Sequence, residues 1–156
     1  MTLQGDHLDK LMAVMDAAFD PAYGEAWNRR QVEDALVLGN THFVLIAATG
    51  QEPLPHEAAA GFFLSRTGYE EEELLLLAVT PACRRLGLGQ TLLERLARDA
   101  RQRGATRLLL EMRQGNPAEQ LYRRFGFTPI GLRPNYYRGP SGGRIDAITF
   151  ACPFYS

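Results

Sequence analysis

Three places in the sequence bring together side chains able to do chemistry. The first is Arg84-Arg85-Leu86-Gly87-Leu88-Gly89-Gln90. It joins an apolar run ending at Leu77-Ala78-Val79 to a stretch where Leu88, Leu92, Leu96 and Ala100 recur at helical spacing. A helix N-terminus presents unpaired N–H groups and a partial positive charge, which suits a phosphate. Glycines there clear side chains from an anion's path, and flanking arginines add charge-assisted hydrogen bonds. The segment lacks the Gly-Lys-Ser/Thr of a P-loop and is not a GxGxxG dinucleotide fingerprint. The bland alternative is a glycine-rich turn that binds nothing.

The second place is Glu111, a single carboxylate among Leu108, Leu109, Leu110 and Met112. Burying an unpaired carboxylate is expensive. Glu111 therefore reads either as a proton acceptor or as the partner of an arginine at the strand end. The third is Tyr122, inside the short helical run Pro117–Phe125; taken alone, a tyrosine there is as readily core packing. Asn135-Tyr136-Tyr137 offers aromatic contact area with hydroxyls, which suits a peptide groove or merely decorates a hairpin. Glu70 to Glu73 is an acidic run that either greets a basic substrate or forms a solvated turn. His7, His42 and His56 make no constellation. Cys83 and Cys152 have no metal-ligand spacing around them, so no metal is expected and both read as free thiols in a reducing cytosol.

The elements that must position these residues follow from periodicity and punctuation. His7–Phe19 and Trp27–Leu38 carry helical apolar spacing, the second stopped by Gly39-Asn40. Phe43–Ala48, Ala58–Ser65 and Leu74–Val79 read as strands, the last with the near-continuous apolar run of a sheet centre. A helix from Leu88 to about Ala100 ends at Gly104, followed by a strand over Thr106–Met112. In the helix Pro117–Phe125, Asn116 is the expected N-cap, Pro117 the first helical residue and Glu119 the partner of a capping box. Phe127–Arg133 and Asp146–Ala151 are strands joined by a loop with Gly139, Pro140, Gly142 and Gly143. The order predicts a mixed α/β fold with a parallel strand–helix–strand unit at its centre.

At 156 residues the chain fits one domain, residues 1–156. Its composition, 46% hydrophobic and 22% charged, excludes intrinsic disorder. No apolar run approaches the roughly 18 residues that span a bilayer, and Met1–Lys10 does not read as a signal peptide. The net charge of −1 hides an asymmetry: residues 1–80 sum to −9 and residues 81–156 to +8. Either the two halves intermix on the folded surface, or the basic half handles a polyanion and the acidic half faces a cationic partner. Near-zero overall charge argues against direct nucleic-acid binding.

RRLGLGQ after LLLLAVTP resembles the pyrophosphate-binding segment, Q/R-x-x-G-x-G/A, of the GNAT N-acetyltransferases. LEMRQGN, LYRRFGF and NYYR are similar, more specifically, to segments of bacterial ribosomal-protein-alanine N-acetyltransferases. The resemblance is strong over about residues 71–150 and loose before that. It implies the GNAT fold, a central mixed sheet flanked by helices with a parallel strand pair splayed around acetyl-CoA. Leu77, Ala78, Val79, Arg84, Arg85, Gly87, Leu88, Gly89, Gln90, Asn116 and Tyr122 would then contact the acetyl-CoA co-substrate. Glu111 matches the family's general base, and Tyr122 the acid that protonates the leaving thiolate. Trp27, Asn135, Tyr136 and Tyr137 match the groove for the substrate's first residues. The implied activity is direct acetyl transfer to an amine, most specifically the N-terminal alanine of a ribosomal protein, in the cytoplasm, by a monomer or weak dimer. A lysine side chain or small free amine is the alternative acceptor, and a non-catalytic acetyl-CoA-binding module the alternative class. The chain departs from the pattern twice. Ten residues separate Glu111 from Tyr122 where the family has eleven, with Gly115 the expected point of shortening. Ile145 replaces the family's Glu before Asp146-Ala147.

Overall fold

The computed structural model describes residues 5–139 and 142–154; Pro140, within the expected hairpin loop, lies outside them. Two helices, α1 (Gly5–Ala18) and α2 (Arg29–Val37), precede three antiparallel strands, β1 (Thr41–Ile46), β2 (Gly61–Gly68) and β3 (Glu71–Val79). The crossover helix α3 (Leu88–Gln102) leads to β4 (Arg107–Arg113), which lies parallel to β3. A short helix, α4 (Glu119–Phe125), leads to the terminal pair β5 (Thr128–Arg138) and β6 (Arg144–Pro153). The six strands form one sheet in the order β1-β2-β3-β4-β6-β5. The β3–β4 pair is parallel and the other four pairings are antiparallel, so the sheet is mixed.

Alternation in the strands feeds a core on each face. Phe62 and Leu64 of β2 join Leu11, Met15 and Val32 under α1 and α2. Phe63, between them in sequence, points to the other face, where Leu92, Leu93 and Leu96 of α3 pack with Phe127 and Phe150.

Several boundaries differ from expectation, each for a local reason. Helix α2 begins at Arg29 because Asn28 and Gln31 form a capping box, which leaves Trp27 in the connector. β3 starts at Glu71 rather than Leu74, so the acidic run is neither a solvated turn nor a free patch. Glu72 is fully buried, accepting from Ser65 Oγ at 2.7 Å and Arg103 Nη2 at 2.5 Å, while Glu71 pairs with Arg107 and Glu73 with Arg66. Three of these contacts, Glu72–Arg103, Glu71–Arg107 and Glu25–Arg113, join the acidic first half to the basic second half, so part of the charge asymmetry is paired across the fold. Helix α4 starts two residues later than expected. Asn116 Oδ1 accepts from the Ala118 N–H at 2.9 Å, closing a turn before the helix, and Glu119 pairs forward with Arg123 instead of back to a cap.

Candidate active site

The parallel strands pair only from Glu71–Arg107 to Leu74–Leu110 and then part. The divergence begins at an irregularity. Across β2, Ser65 pairs with Leu74 and Leu64 with Leu76, so Leu75 is bulged out of the register. A bulge bends its strand and raises the local twist, which turns the rest of β3 away from β4. Backbone groups of Leu75–Val79 that would have met β4 face a gap instead. A cavity of about 1290 Å³ occupies that gap, walled by Leu74–Val79 on one side and Leu110–Arg113 on the other.

One end of the cavity is the start of α3. Gly87 is the N-cap, with φ +77 and no side-chain cap, and Arg85 is also left-handed at φ +69. The first bond of the helix runs from Thr91 N–H to Gly87 O at 3.1 Å. The N–H groups of Leu88, Gly89 and Gln90 therefore precede the ladder and have no partner within it. Arg85, Gly87, Leu88, Gly89 and Gln90 all line the cavity. Three free donors, a helix dipole and an exposed arginine fit a diphosphate.

Two residues of this segment work differently from expectation. Arg84 donates through Nε to Val79 O and through Nη2 to Ala18 O, both at 3.3 Å. Its guanidinium straps α1 to the end of β3 rather than standing free for an anion. A Cβ on Gly89 would lie 2.8 Å from Leu121 Cδ2, so α3 and the side chain of α4 approach closely there. Gln90 donates to Glu94 on its own helix at 3.1 Å.

Glu111 stands on the opposite wall, its side chain 20% exposed. It is not unpaired: Arg133 Nη2 of β5 lies at 3.2 Å and Thr149 Oγ1 donates to it at 3.4 Å. An arginine partner is thus present, though it comes from β5 rather than from an end of β4. Tyr122 and Asn116 line the same cavity. The Tyr122 ring is buried, edge-on to Phe127 at 5.7 Å, and its hydroxyl has no hydrogen-bond partner among the described residues. Burial first, then the charge of Glu25, pushes its phenol well above the usual range. Gly115, left-handed at φ +85, makes the tight turn between β4 and α4.

The rim brings together Trp27, Tyr136 and Tyr137. Trp27 also packs on the α1–α2 core. The two tyrosine rings meet edge-on at 5.0 Å, and Arg133 lies 4.6 Å over Tyr136. Asn135 is not on the cavity wall: left-handed at φ +56, it donates its N–H to Asp146 Oδ1 at 2.8 Å where β5 slips register. Ile145, at the departure from the family pattern, pairs with Tyr137. The sequence reading missed Tyr23, Glu25 and Arg113, which also line the cavity. Only the alternation of β4, which puts Arg113 on the face of Glu111, could have pointed to one of them.

A [ribosomal protein bS18]-alanine N-acetyltransferase of Haemophilus influenzae is 38% identical to this chain over 92 residues, which cover 59% of it and 63% of that protein. The Escherichia coli K12 protein of the same name is 40% identical over 95 residues, covering 60% and 64%. The chain thus matches less than two thirds of the length of either relative. The crystal structure of the ribosomal-protein-S18-alanine N-acetyltransferase from Escherichia coli superposes with a TM-score of 0.73 at 27% identity, covering all of this chain and 93% of that one. The sequence pattern of the acetyltransferase (GNAT) family matches residues 8–127, and the chain belongs to that family.

Proposed function

We propose that residues 1–156 act as one domain, a cytoplasmic monomer or weak dimer, that transfers acetyl from acetyl-CoA to the α-amine of an N-terminal alanine, most fittingly that of ribosomal protein bS18. One observation carries this reading: the cavity runs from free N–H donors at α3, along the unpaired edge of β3, to Glu111 and Tyr122. A diphosphate, an extended amide-bearing arm and a reacting thioester are needed in that order. Similarity to the bS18-alanine enzymes supports the choice of acceptor.

Each residue has a task in this scheme. The N–H groups of Leu88, Gly89 and Gln90 and the Arg85 side chain hold the diphosphate. Backbone groups of Leu77, Ala78 and Val79 align the pantetheine arm by strand-like hydrogen bonds. Glu111 takes a proton from the acceptor ammonium, directly or through water, leaving a neutral amine. The amine nitrogen attacks the thioester carbonyl carbon and the C–S bond breaks. Tyr122 gives its proton to the departing sulfur and regains one from the new amide nitrogen. Because burial raises the Tyr122 phenol, it stays protonated and ready to donate. Trp27, Tyr136 and Tyr137 line the path of the acceptor.

The test is steady-state kinetics with acetyl-CoA and a panel of alanine-start peptides, N-terminally blocked lysine peptides and small amines. Alanine-start peptides should give the highest kcat/KM. A preference for lysine or small amines would overturn the acceptor, and acetyl-CoA binding without any turnover would overturn the enzymatic reading.

A further inference from the structure

We infer that Glu25, held in place by Arg113, is a second carboxylate of the acceptor site, which captures the positively charged amine before Glu111 deprotonates it. This rests on the acetyl-transfer reading and adds to it a residue that determines which amines bind.

Glu25 sits in the connector between α1 and α2, far in sequence from its partner. Arg113 Nε donates to Glu25 Oε1 at 3.0 Å, with the two side chains only 12% and 17% exposed. The second carboxylate oxygen of Glu25 has no hydrogen bond among the described residues. The Arg113 guanidinium stacks on the other side against the Tyr23 ring, 3.6 Å from its centroid. The ion pair is therefore oriented, with its positive end against Tyr23.

Tyr23, Glu25 and Arg113 all line the cavity, together with Glu111, Tyr122 and Tyr137. The charge of Glu25 helps to raise the phenols of both Tyr122 and Tyr137. Tyr137 is pushed up to about 12, by burial first, then by Glu111, then by Glu25. That phenol shares the cavity lining with both carboxylates. Each is tethered by an arginine, Glu25 by Arg113 and Glu111 by Arg133. Glu111 and Arg113 are two residues apart on β4 and share its cavity face. Two carboxylates and a phenol lining one cavity offer several acceptors to a small cation, and an ammonium supplies three donors.

The two carboxylates then divide the work. Glu25 favours the ammonium form in the ground state, and Glu111 removes its proton. Loss of this ground-state binding appears as a raised KM with kcat unchanged or higher, whereas loss of the base appears in kcat.

The experiment compares wild type, Glu25→Gln and Glu25→Asp across the amine panel from about pH 6.5 to about 9.5, spanning the α-amine pKa of about 7.7–8.0. Glu25→Gln keeps an oxygen for Arg113 but loses the charge. It should raise the acceptor KM roughly tenfold at the acid end, the low end for a hydrogen bond between charged groups. The difference should shrink toward the alkaline end, where the amine is neutral and Tyr137 and Tyr122 are still protonated. The KM for acetyl-CoA should stay put, and Glu25→Asp should recover part of the loss. A pH-independent defect, a matching rise in the acetyl-CoA KM, or no defect overturns the assignment. Wild-type turnover of small amines but not alanine-start peptides sinks the peptide reading alone, and the Glu25 comparison is then read on those amines. Wild type that turns over none of them sinks both.

Discussion

Gly89 and Leu121 meet where one has no side chain: a Cβ on the glycine would stand 2.8 Å from Leu121 Cδ2. That contact joins the helix whose N-terminus lines the cavity to the helix that carries Tyr122. The spacing between phosphate end and phenol end is therefore set by packing as well as by the sheet.

Gly89→Ala should change stability by no more than about 1 kcal/mol, because the tip of the half-buried Leu121 side chain can give way while alanine replaces a glycine inside a helix. Turnover should stay close to wild type. Thermal unfolding and kcat measured on the variant check this.

Gly87→Glu should raise the KM for acetyl-CoA sharply while the protein stays folded. Nothing lies within 4 Å of a Cβ there, so the strain comes only from the left-handed backbone. The new carboxylate would stand among N–H groups offered to a diphosphate. Unchanged cofactor affinity in the folded variant would remove this segment from the binding site.

Stability at acid pH should depend on Glu72. Burial pushes its carboxyl up, but hydrogen bonds from Arg103 and Ser65 outweigh that and hold it below its usual value. A lowered carboxyl contributes stability above its unfolded pKa of about 4.3 and loses it as pH falls through the folded value. Wild type should therefore weaken below about pH 5, and Glu72→Gln should be less stable near neutral pH but flatter in acid. Chemical denaturation at several pH values gives both curves.

Much of this arrangement is legible in the sequence because it is local. The run from Leu74 to Ala100 states a buried strand, a glycine turn and an amphipathic helix within 27 residues, and the structure follows it closely. The strand through Glu71–Glu73 is not legible in the acidic run Glu70–Glu73, because adjacent acids carry no sign that a strand continues through them; the partners Arg103 and Arg107 lie some thirty residues on. Glu25 was invisible for the same reason at greater range, since Arg113 is 88 residues away. Arg84 and Gly89 sit in the motif as read. The contact of Arg84 with Ala18 and the close approach of Leu121 to Gly89 are linked to the motif by no spacing rule.

Tyr122→Phe should retain acetyl-CoA binding and stability, since the hydroxyl has no hydrogen-bond partner among the described residues to lose, and should slow the chemical step by roughly 10²-fold or more. With its phenol raised by burial, Tyr122 should produce no fall in wild-type rate on the alkaline side up to about pH 9.5, at or below the usual phenol range. A rate that declines between about pH 8 and 9.5, and declines less in the Phe variant, would remove Tyr122 as the acid.

The most direct measurement uses one peptide bearing both a free alanine N-terminus and an internal lysine, incubated with acetyl-CoA and wild type or Glu111→Gln. Mass spectrometry then locates the acetyl group and times its arrival. The account predicts acetyl on the α-nitrogen alone, slowed roughly 10²–10⁴-fold in Glu111→Gln near neutral pH, with the gap narrowing as pH rises and the amine deprotonates unaided. Acetyl on the lysine side chain, or a rate indifferent to Glu111→Gln, would contradict it.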